Sequence, residues 1–229
     1  MINPLLSILQ INFLAFVQKA HIELEGRPLD MNQEYIAYLT WHIEQMILGK
    51  TQNLIINLPG RHLKSFIASI CAPAFLLARD PTKKIFIVSY SLDVSSELVR
   101  KCRQLVEASW YMEMCRTRIS DVSRSDKFTI KSGGEVQAAA INSMTGKGGH
   151  WIILDDPHNV SDWNNDRAKA RVRMNFGLLM SRRDGGQRTQ MLLIGHRVAD
   201  DDLTAHVKEH GGFKQLRLPL YAPKRLERR

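Results

Sequence analysis

Short apolar runs alternate along this chain with longer stretches in which apolar side chains recur every third or fourth position. The runs Leu54 to Leu58 (interrupted by Asn57), Ile85 to Val88, Trp151 to Leu154 and Met191 to Ile194 predict strands, and the four apolar residues in a row at Trp151 to Leu154 suit a strand buried on both faces. Periodic stretches between them predict helices. One spans Gln33 to Leu48, with Ile36, Leu39, Ile43 and Ile47 on one side and Gly49 as its stop. Others run from Phe66 to near Asp80, from Asp93 to Trp110 with Val94, Leu98, Leu105 and Val106 inward, and from Asp166 to Arg183. At the N-terminus Leu6, Leu9, Phe13, Phe16 and Val17 share a helical face, which predicts one docked helix. Gln10 and Asn12 interrupt that segment, which is too short and too polar for a membrane span or a signal peptide. Phe128-Thr129-Ile130 and Val136 to Ile141 flank Ser132-Gly133-Gly134 and predict a hairpin. The pattern is that of an α/β fold with a mostly parallel central sheet flanked by helices, an added β-hairpin and an N-terminal helical extension. The expected division is 1–48 for the helical extension, packed on the core, and 49–229 for the main domain.

Composition narrows the partner more than the fold. With 229 residues the chain can bury a sizeable core. A net charge of +9, from 32 Lys and Arg against 23 Asp and Glu, favours a polyanionic partner such as nucleic acid. A basic protein without such a partner is the competing reading. Cys71, Cys102 and Cys115 lack metal-ligand spacing. Cys71 and Cys102 fall in predicted amphipathic helices, so buried free thiols in a reducing compartment are expected.

Three strand ends carry candidate chemistry. The first run leads through Leu58-Pro59-Gly60-Arg61-His62-Leu63-Lys64-Ser65 into the apolar helix that begins at Phe66. Strand, turn, Lys-Ser and helix is the order of a phosphate-binding loop, in which backbone N–H groups and the helix N-terminus face the anion. Lys64 would reach the β and γ phosphates, and the Ser65 hydroxyl can ligate Mg²⁺. The common pattern G-x-x-x-x-G-K-[ST] wants glycine at Leu58 and Leu63, so a buried strand followed by a basic helix start competes with this reading. Gln33 or Tyr35 lies where an adenine base can be met, although a helix leading into a first strand needs no such role.

The second strand end is Leu154-Asp155-Asp156-Pro157-His158. Paired acids at the carboxyl end of a buried strand sit where ligands gather in open α/β sheets. Beside a phosphate loop, Asp155 can hold Mg²⁺ through its water shell and Asp156 can orient or deprotonate an attacking water. Alone, the pair would read as a turn or a helix cap. At the third strand end, Gly195-His196-Arg197 offers polar groups to a γ phosphate, and Asp200-Asp201-Asp202 opens a helix with its acids suited to the helix dipole. Arg167, Lys169, Arg171, Arg173, Arg182, Arg183 and Arg188 form a basic stretch that suits either a DNA track or a solvated helix face.

Together these segments resemble tailed-phage terminase large subunits, from about residue 30 to residue 220. Leu58-Pro59-Gly60-Arg61-His62-Leu63-Lys64-Ser65 is similar to the family's deviant phosphate loop. Ser89-Tyr90-Ser91, Thr145-Gly146-Lys147-Gly148 before the paired acids, and Gly195-His196-Arg197 with Asp201-Asp202-Leu203 match further motifs in order. The resemblance implies a RecA-like P-loop ATPase domain with ATP and Mg²⁺ as cofactors. It implies double-stranded DNA as the partner moved, a homo-oligomeric ring on a capsid portal, a small terminase subunit, and the cytoplasm of a bacterial host, with no membrane partner. It assigns Lys64 and Ser65 to phosphates and Mg²⁺, Asp155 to the metal, and Asp156 to the catalytic carboxylate. Arg61 becomes a candidate for phosphate sensing or transition-state charge neutralisation, and His196 and Arg197 become relays of the γ-phosphate state. Gly60 replaces a second proline. Lys147 stands where relatives carry arginine, and as a finger on a neighbouring subunit's ATP lysine would be a poorer bidentate donor. His196 replaces a common threonine. The family's C-terminal nuclease domain, and hence nuclease activity, is not expected from this chain. Alternatives are another nucleic-acid-dependent P-loop NTPase, helicase-like in action, and a degenerate DNA-binding or assembly module that no longer hydrolyses ATP.

Overall fold

The computed structural model describes residues 4–60, 62–115, 117–120, 124–143, 149–162, 164–181, 189–197 and 199–218. Its centre is a seven-stranded sheet formed by β1 (Asn53–Asn57), β2 (Lys84–Ser89), β3 (Lys127–Thr129), β4 (Glu135–Ala140), β5 (Trp151–Asp155), β6 (Gln190–Gly195) and β7 (Lys214–Arg217). The strand order is β3-β4-β2-β5-β6-β1-β7. Every neighbouring pair is parallel except the predicted hairpin β3–β4, in which Phe128 faces Val136. The α/β class and the mostly parallel sheet therefore follow the sequence pattern. One consequence of the order is functional: β6 lies between β1, which leads into the Lys-Ser loop, and β5, which carries the paired acids.

Alternation along the strands divides the core. Leu54, Ile56, Ile85, Ile87, Trp151, Ile153, Leu192 and Ile194 point to one face. That face is covered by α1 (Pro4–Ile11), α2 (Phe13–Glu25), α3 (Glu34–Ile47), a π-helix (Phe66–Cys71), α4 (Ala72–Arg79), α5 (Leu92–Glu107) and α6 (Ser109–Cys115). Ile55, Phe86, Val88, Ile152, Leu154, Met191 and Leu193 point the other way. They meet Val172, Phe176 and Leu179 of α7 (Asp166–Ser181), and Leu203 and Val207 of α8 (Leu203–His210).

Two predicted helices are broken. The N-terminal segment forms α1 and α2 at 111° to one another. Asn12 stands at the break and its side chain accepts from the Ala15 N–H, so a good N-cap residue starts a second helix where a continuous one was expected. No single described helix is long and apolar enough to cross a membrane. The helix expected from Asp93 to Trp110 ends at Ala108, whose backbone is extended. The break turns Trp110 inward, where its indole N–H donates to Glu23 at 3.0 Å and its ring meets Phe16 edge-on. Cys71 and Cys102 are buried, Cys115 is half-buried, and all three are free.

Candidate nucleotide and metal site

The site lies at the carboxyl ends of β1, β6 and β5, which register aligns: Asn57 pairs with Gly195, and Ile194 with Asp155. Leu58 N–H donates to Gly195 O at 3.2 Å and Asp156 N–H to Ile194 O at 3.0 Å, so the three strands end together. Here the Lys-Ser loop and the paired acids meet. Lys64 Nζ lies 2.9 Å from Asp156 Oδ2, with 8% of the lysine side chain exposed. Ser65 Oγ donates to Asp155 Oδ1 at 2.9 Å.

The loop keeps one of the backbone features for which the standard pattern uses glycine. Leu63 has φ 54°, in the left-handed region, whereas Leu58 has no such conformation and is buried in the core. A non-glycine residue there costs about 1–2 kcal/mol, offset in part because the Leu63 side chain packs against the core. Leu63 O then accepts from Ile67 N–H and starts the helix. His62 Nδ1–H donates to Gly60 O at 2.7 Å, and its ring contacts that of Tyr35. The Gln33 amide, at the head of α3, donates to Asp30 Oδ2 at 3.2 Å. After Leu58, Pro59 is half-buried and Gly60 is exposed.

The two acids have different surroundings. Asp155 is a strand residue, buried, with Ser65 on Oδ1 and Ser69 Oγ on Oδ2 at 2.6 Å. Burial pushes its pKa up to about 6. The Ser69 bond pulls downward, the adjacent Asp156 pushes up, and Ser65 and Lys64 pull downward. Asp156 follows with φ 43°, a conformation that aspartate tolerates better than most residues. This turn carries its carboxylate back over the end of β6. Oδ1 there accepts from His196 N–H at 3.3 Å and lies 3.2 Å from His196 Nδ1, which is not aligned for a hydrogen bond. A Cβ at Gly195 would sit 3.1 Å from that same oxygen, so glycine leaves room for the acid.

Beyond the acids, α8 is tied to all three strand ends. Asn57 Nδ2 donates to Thr204 Oγ1 at 3.1 Å, and His158 Nε2 accepts from Leu203 N–H at 2.9 Å. Arg197 Nε donates to Asp202 Oδ2 at 2.7 Å, while its Nη2 donates to both Ala199 O and Asp200 O. Asp202 caps α8 through Ala205 N–H. Arg197 thus faces the head of α8. In the basic stretch, Lys169 is paired with Asp166 and Asp201, and Arg173 donates to Asp201. These two cations hold α7 to the segment before α8 and are committed to protein carboxylates. Arg61, Lys147, Arg182, Arg183 and Arg188 lie outside the described residues.

Sequence reasoning passed over Ser69, Asn57, His158 and Thr204 as site residues. Ser69 carried a signal: it is the one polar residue in Phe66-Ile67-Ala68-Ser69-Ile70-Cys71-Ala72, and it lies four residues after Ser65. Hard oxygen donors of Ser65 and Asp155 fit Mg²⁺, which takes one or two protein oxygens alongside phosphate and water.

No family profile and no curated protein matches the chain. Among solved structures, the large terminase of bacteriophage HK97 is similar over 95% of this chain and 45% of its own, at 15% identity and TM-score 0.54. The large terminase ATPase domain of Thermus phage P74-26 is similar over 63% of this chain and 59% of its own, at 12% identity and TM-score 0.42. The fold of this chain matches that of the part of the HK97 large terminase that it covers. This chain spans less than two thirds of the length of either structure.

Proposed function

We propose that this chain is an ATP-hydrolysing motor domain of the phage large-terminase type, coupling hydrolysis to movement of double-stranded DNA into a capsid. The reading rests above all on the closure of the Lys64-Ser65 loop over the Asp155-Asp156 pair, on a sheet that matches a terminase fold. In it, Ser65 Oγ and Asp155 would hold Mg²⁺, which would supply charge neutralisation to the phosphates of ATP. Lys64 exchanges Asp156 Oδ2 for a phosphate oxygen. Asp156, released on that oxygen, orients the attacking water and accepts its proton. His196, against the other oxygen of the same carboxylate, registers the exchange. Arg197 and Asp202 pass it to α8. Positioning and electrostatics carry most of the catalysis in this chemistry.

The working assembly is a homo-oligomeric ring on a capsid portal with a small terminase subunit, in the cytoplasm of a bacterial host. Arg61 and Lys147 are the candidates for cationic contacts to ATP, within a subunit and between subunits. Contacts to DNA are mainly to phosphates, because a packaging motor ignores sequence, and affinity falls steeply with salt.

Phosphate release from Mg²⁺–ATP, with and without duplex DNA, tests the proposal. Lys64→Ala is expected to abolish turnover, and Asp156→Asn to retain ATP binding while losing hydrolysis. Undiminished turnover in Lys64→Ala would overturn the site. Retained hydrolysis in Asp156→Asn would move the base elsewhere.

A further inference from the structure

We propose that Ser69 is a positioning residue that fixes the orientation of Asp155 toward a bound metal–nucleotide complex. This inference rests on the nucleotide-site reading above and adds a residue to it. The two oxygens of Asp155 have different donors: Oδ1 takes Ser65 Oγ at 2.9 Å, and Oδ2 takes Ser69 Oγ at 2.6 Å. Ser65 sits at the mouth of the loop, where its hydroxyl turns toward a cation on loading and leaves Oδ1. Ser69 lies four residues deeper in the helix and is wholly buried. It cannot reach the loop mouth, so its bond to Oδ2 persists when the Ser65 bond opens. A carboxylate held by one oxygen keeps its plane and presents the other oxygen to the loop.

The π-helical turn supports this division of labour. Ala72 N–H reaches back five residues to Ile67 O, so the helix that follows the loop is widened where Ser69 faces β5. Such widened turns are frequent at functional sites. The neighbouring strand offers no substitute bond. Val88 pairs with Leu154, which brings Ser89 alongside Asp155, yet the buried Ser89 Oγ has no hydrogen-bond partner among the described residues. Ser69 and Ser89 are thus equally buried near the end of β5, and of the two Ser69 is the one bonded to the acid. Partners of this kind, one step removed from a metal, typically change its affinity 10–100-fold when lost.

The test measures Mn²⁺ binding to the whole chain by electron paramagnetic resonance in the presence of a non-hydrolysable ATP analogue, alongside metal-free nucleotide binding in EDTA. Ser69→Ala is expected to weaken Mn²⁺ binding about tenfold and to leave metal-free nucleotide binding unchanged. Ser89→Ala is expected to leave both unchanged. Should alanine loosen the fold, the Ser69→Thr and Ser69→Val pair decides: the two side chains share a shape, and threonine alone retains the Mn²⁺ affinity. Mn²⁺ affinity in Ser69→Ala equal to the parent's, an equal loss in Ser89→Ala, or a parallel loss of metal-free binding would each overturn the role. A parent chain that binds no nucleotide at all would overturn the nucleotide-site reading and this inference together, whereas normal parental binding with an indifferent Ser69 overturns this inference alone.

Discussion

The two layers that cover the sheet are built on different principles, and the candidate nucleotide site lies between them. The layer formed by α1 to α6 is held by apolar packing. Phe16 is wholly buried and meets Phe75, Trp110 and Tyr111 edge-on, while Phe13 meets Phe75. The layer formed by α7 and α8 has a smaller apolar cluster and a belt of directional polar contacts: Lys169 and Arg173 to Asp201, Arg197 to Asp202, and His158 to Leu203 N–H. Close-packed apolar layers resist small displacements. Polar contacts with discrete donors and acceptors exchange partners at smaller cost. The first layer therefore fixes the Lys-Ser loop and Asp155, and the second is suited to change its contacts under the proposed exchange of partners at Asp156.

The strongest way to break the contrast is to remove its largest anchor. Phe16→Ala is expected to destabilise the chain by about 3–5 kcal/mol, the usual cost of emptying a closed aromatic site. Urea denaturation measures it, and a loss under about 1 kcal/mol would mean that this layer is not close-packed. Arg173→Ala in the other layer is expected to fall within the small scatter of surface ion pairs and to vanish in high salt.

Opposite pH responses sharpen the comparison. Asp155, on the side of the loop layer, has its carboxyl raised from the ordinary 3.8 to about 6, chiefly by burial. A group raised on folding contributes stability that is present below pH 3.8 and is lost as pH climbs through about 6. At one pKa unit per 1.4 kcal/mol, the loss is of the order of 3 kcal/mol. In EDTA, Asp155→Asn is expected to be more stable than the parent at pH 8, and an unchanged difference at pH 4 and pH 8 would refute the burial argument. His158 in the other layer has the opposite sign. Burial lowers its pKa below the ordinary 6.5, ahead of the upward pull of Asp202. Its contribution is present above pH 6.5 and is lost as pH falls, because a protonated Nε2 can no longer accept from Leu203 N–H. His158→Gln keeps an acceptor and gains no proton, so it is expected to remove about 1 kcal/mol of the acid-side loss. Between pH 3.8 and 6.5 the two groups oppose one another in the parent, and each variant exposes the other's slope.

Legibility in the sequence followed the physics of each feature. Strands β1, β2, β5 and β6 were legible because a doubly buried parallel strand is largely apolar, as Trp151 to Leu154 is, whereas the polar strand β7, exposed at both ends, was not. The paired acids and the Lys-Ser loop were legible because their order along the chain matched a known order of chemistry. Helix breaks at Asn12 and Ala108 were hidden, since local periodicity continues across both and tertiary packing of Phe13 and Trp110 decides the turn. Ser69 was hidden for a related reason. A lone serine in an apolar helix has no meaning until strand order brings Asp155 opposite. The contact of His196 with the Asp156 carboxylate needed register as well as pattern, because β6 had to lie between β1 and β5 to bring the two together.

Leu63 gives the smallest expected effect and the most direct link between spelling and backbone. Its φ of 54° is the conformation that glycine adopts freely, and glycine is what the standard phosphate-loop pattern has at this position. Leucine tolerates it here because its side chain is packed against the core beside the loop. Leu63→Gly would relieve about 1–2 kcal/mol of strain, while losing a comparable amount of packing and chain entropy. The net change in stability is expected to stay within about 1 kcal/mol, with nucleotide affinity retained. Leu63→Ala removes the packing and keeps the strain, so it is expected to be the less stable of the two. Calorimetric melting of both variants measures the difference. If alanine proved as stable as glycine, backbone strain at this position would be no more than the chain entropy that glycine costs, about 0.4–1 kcal/mol.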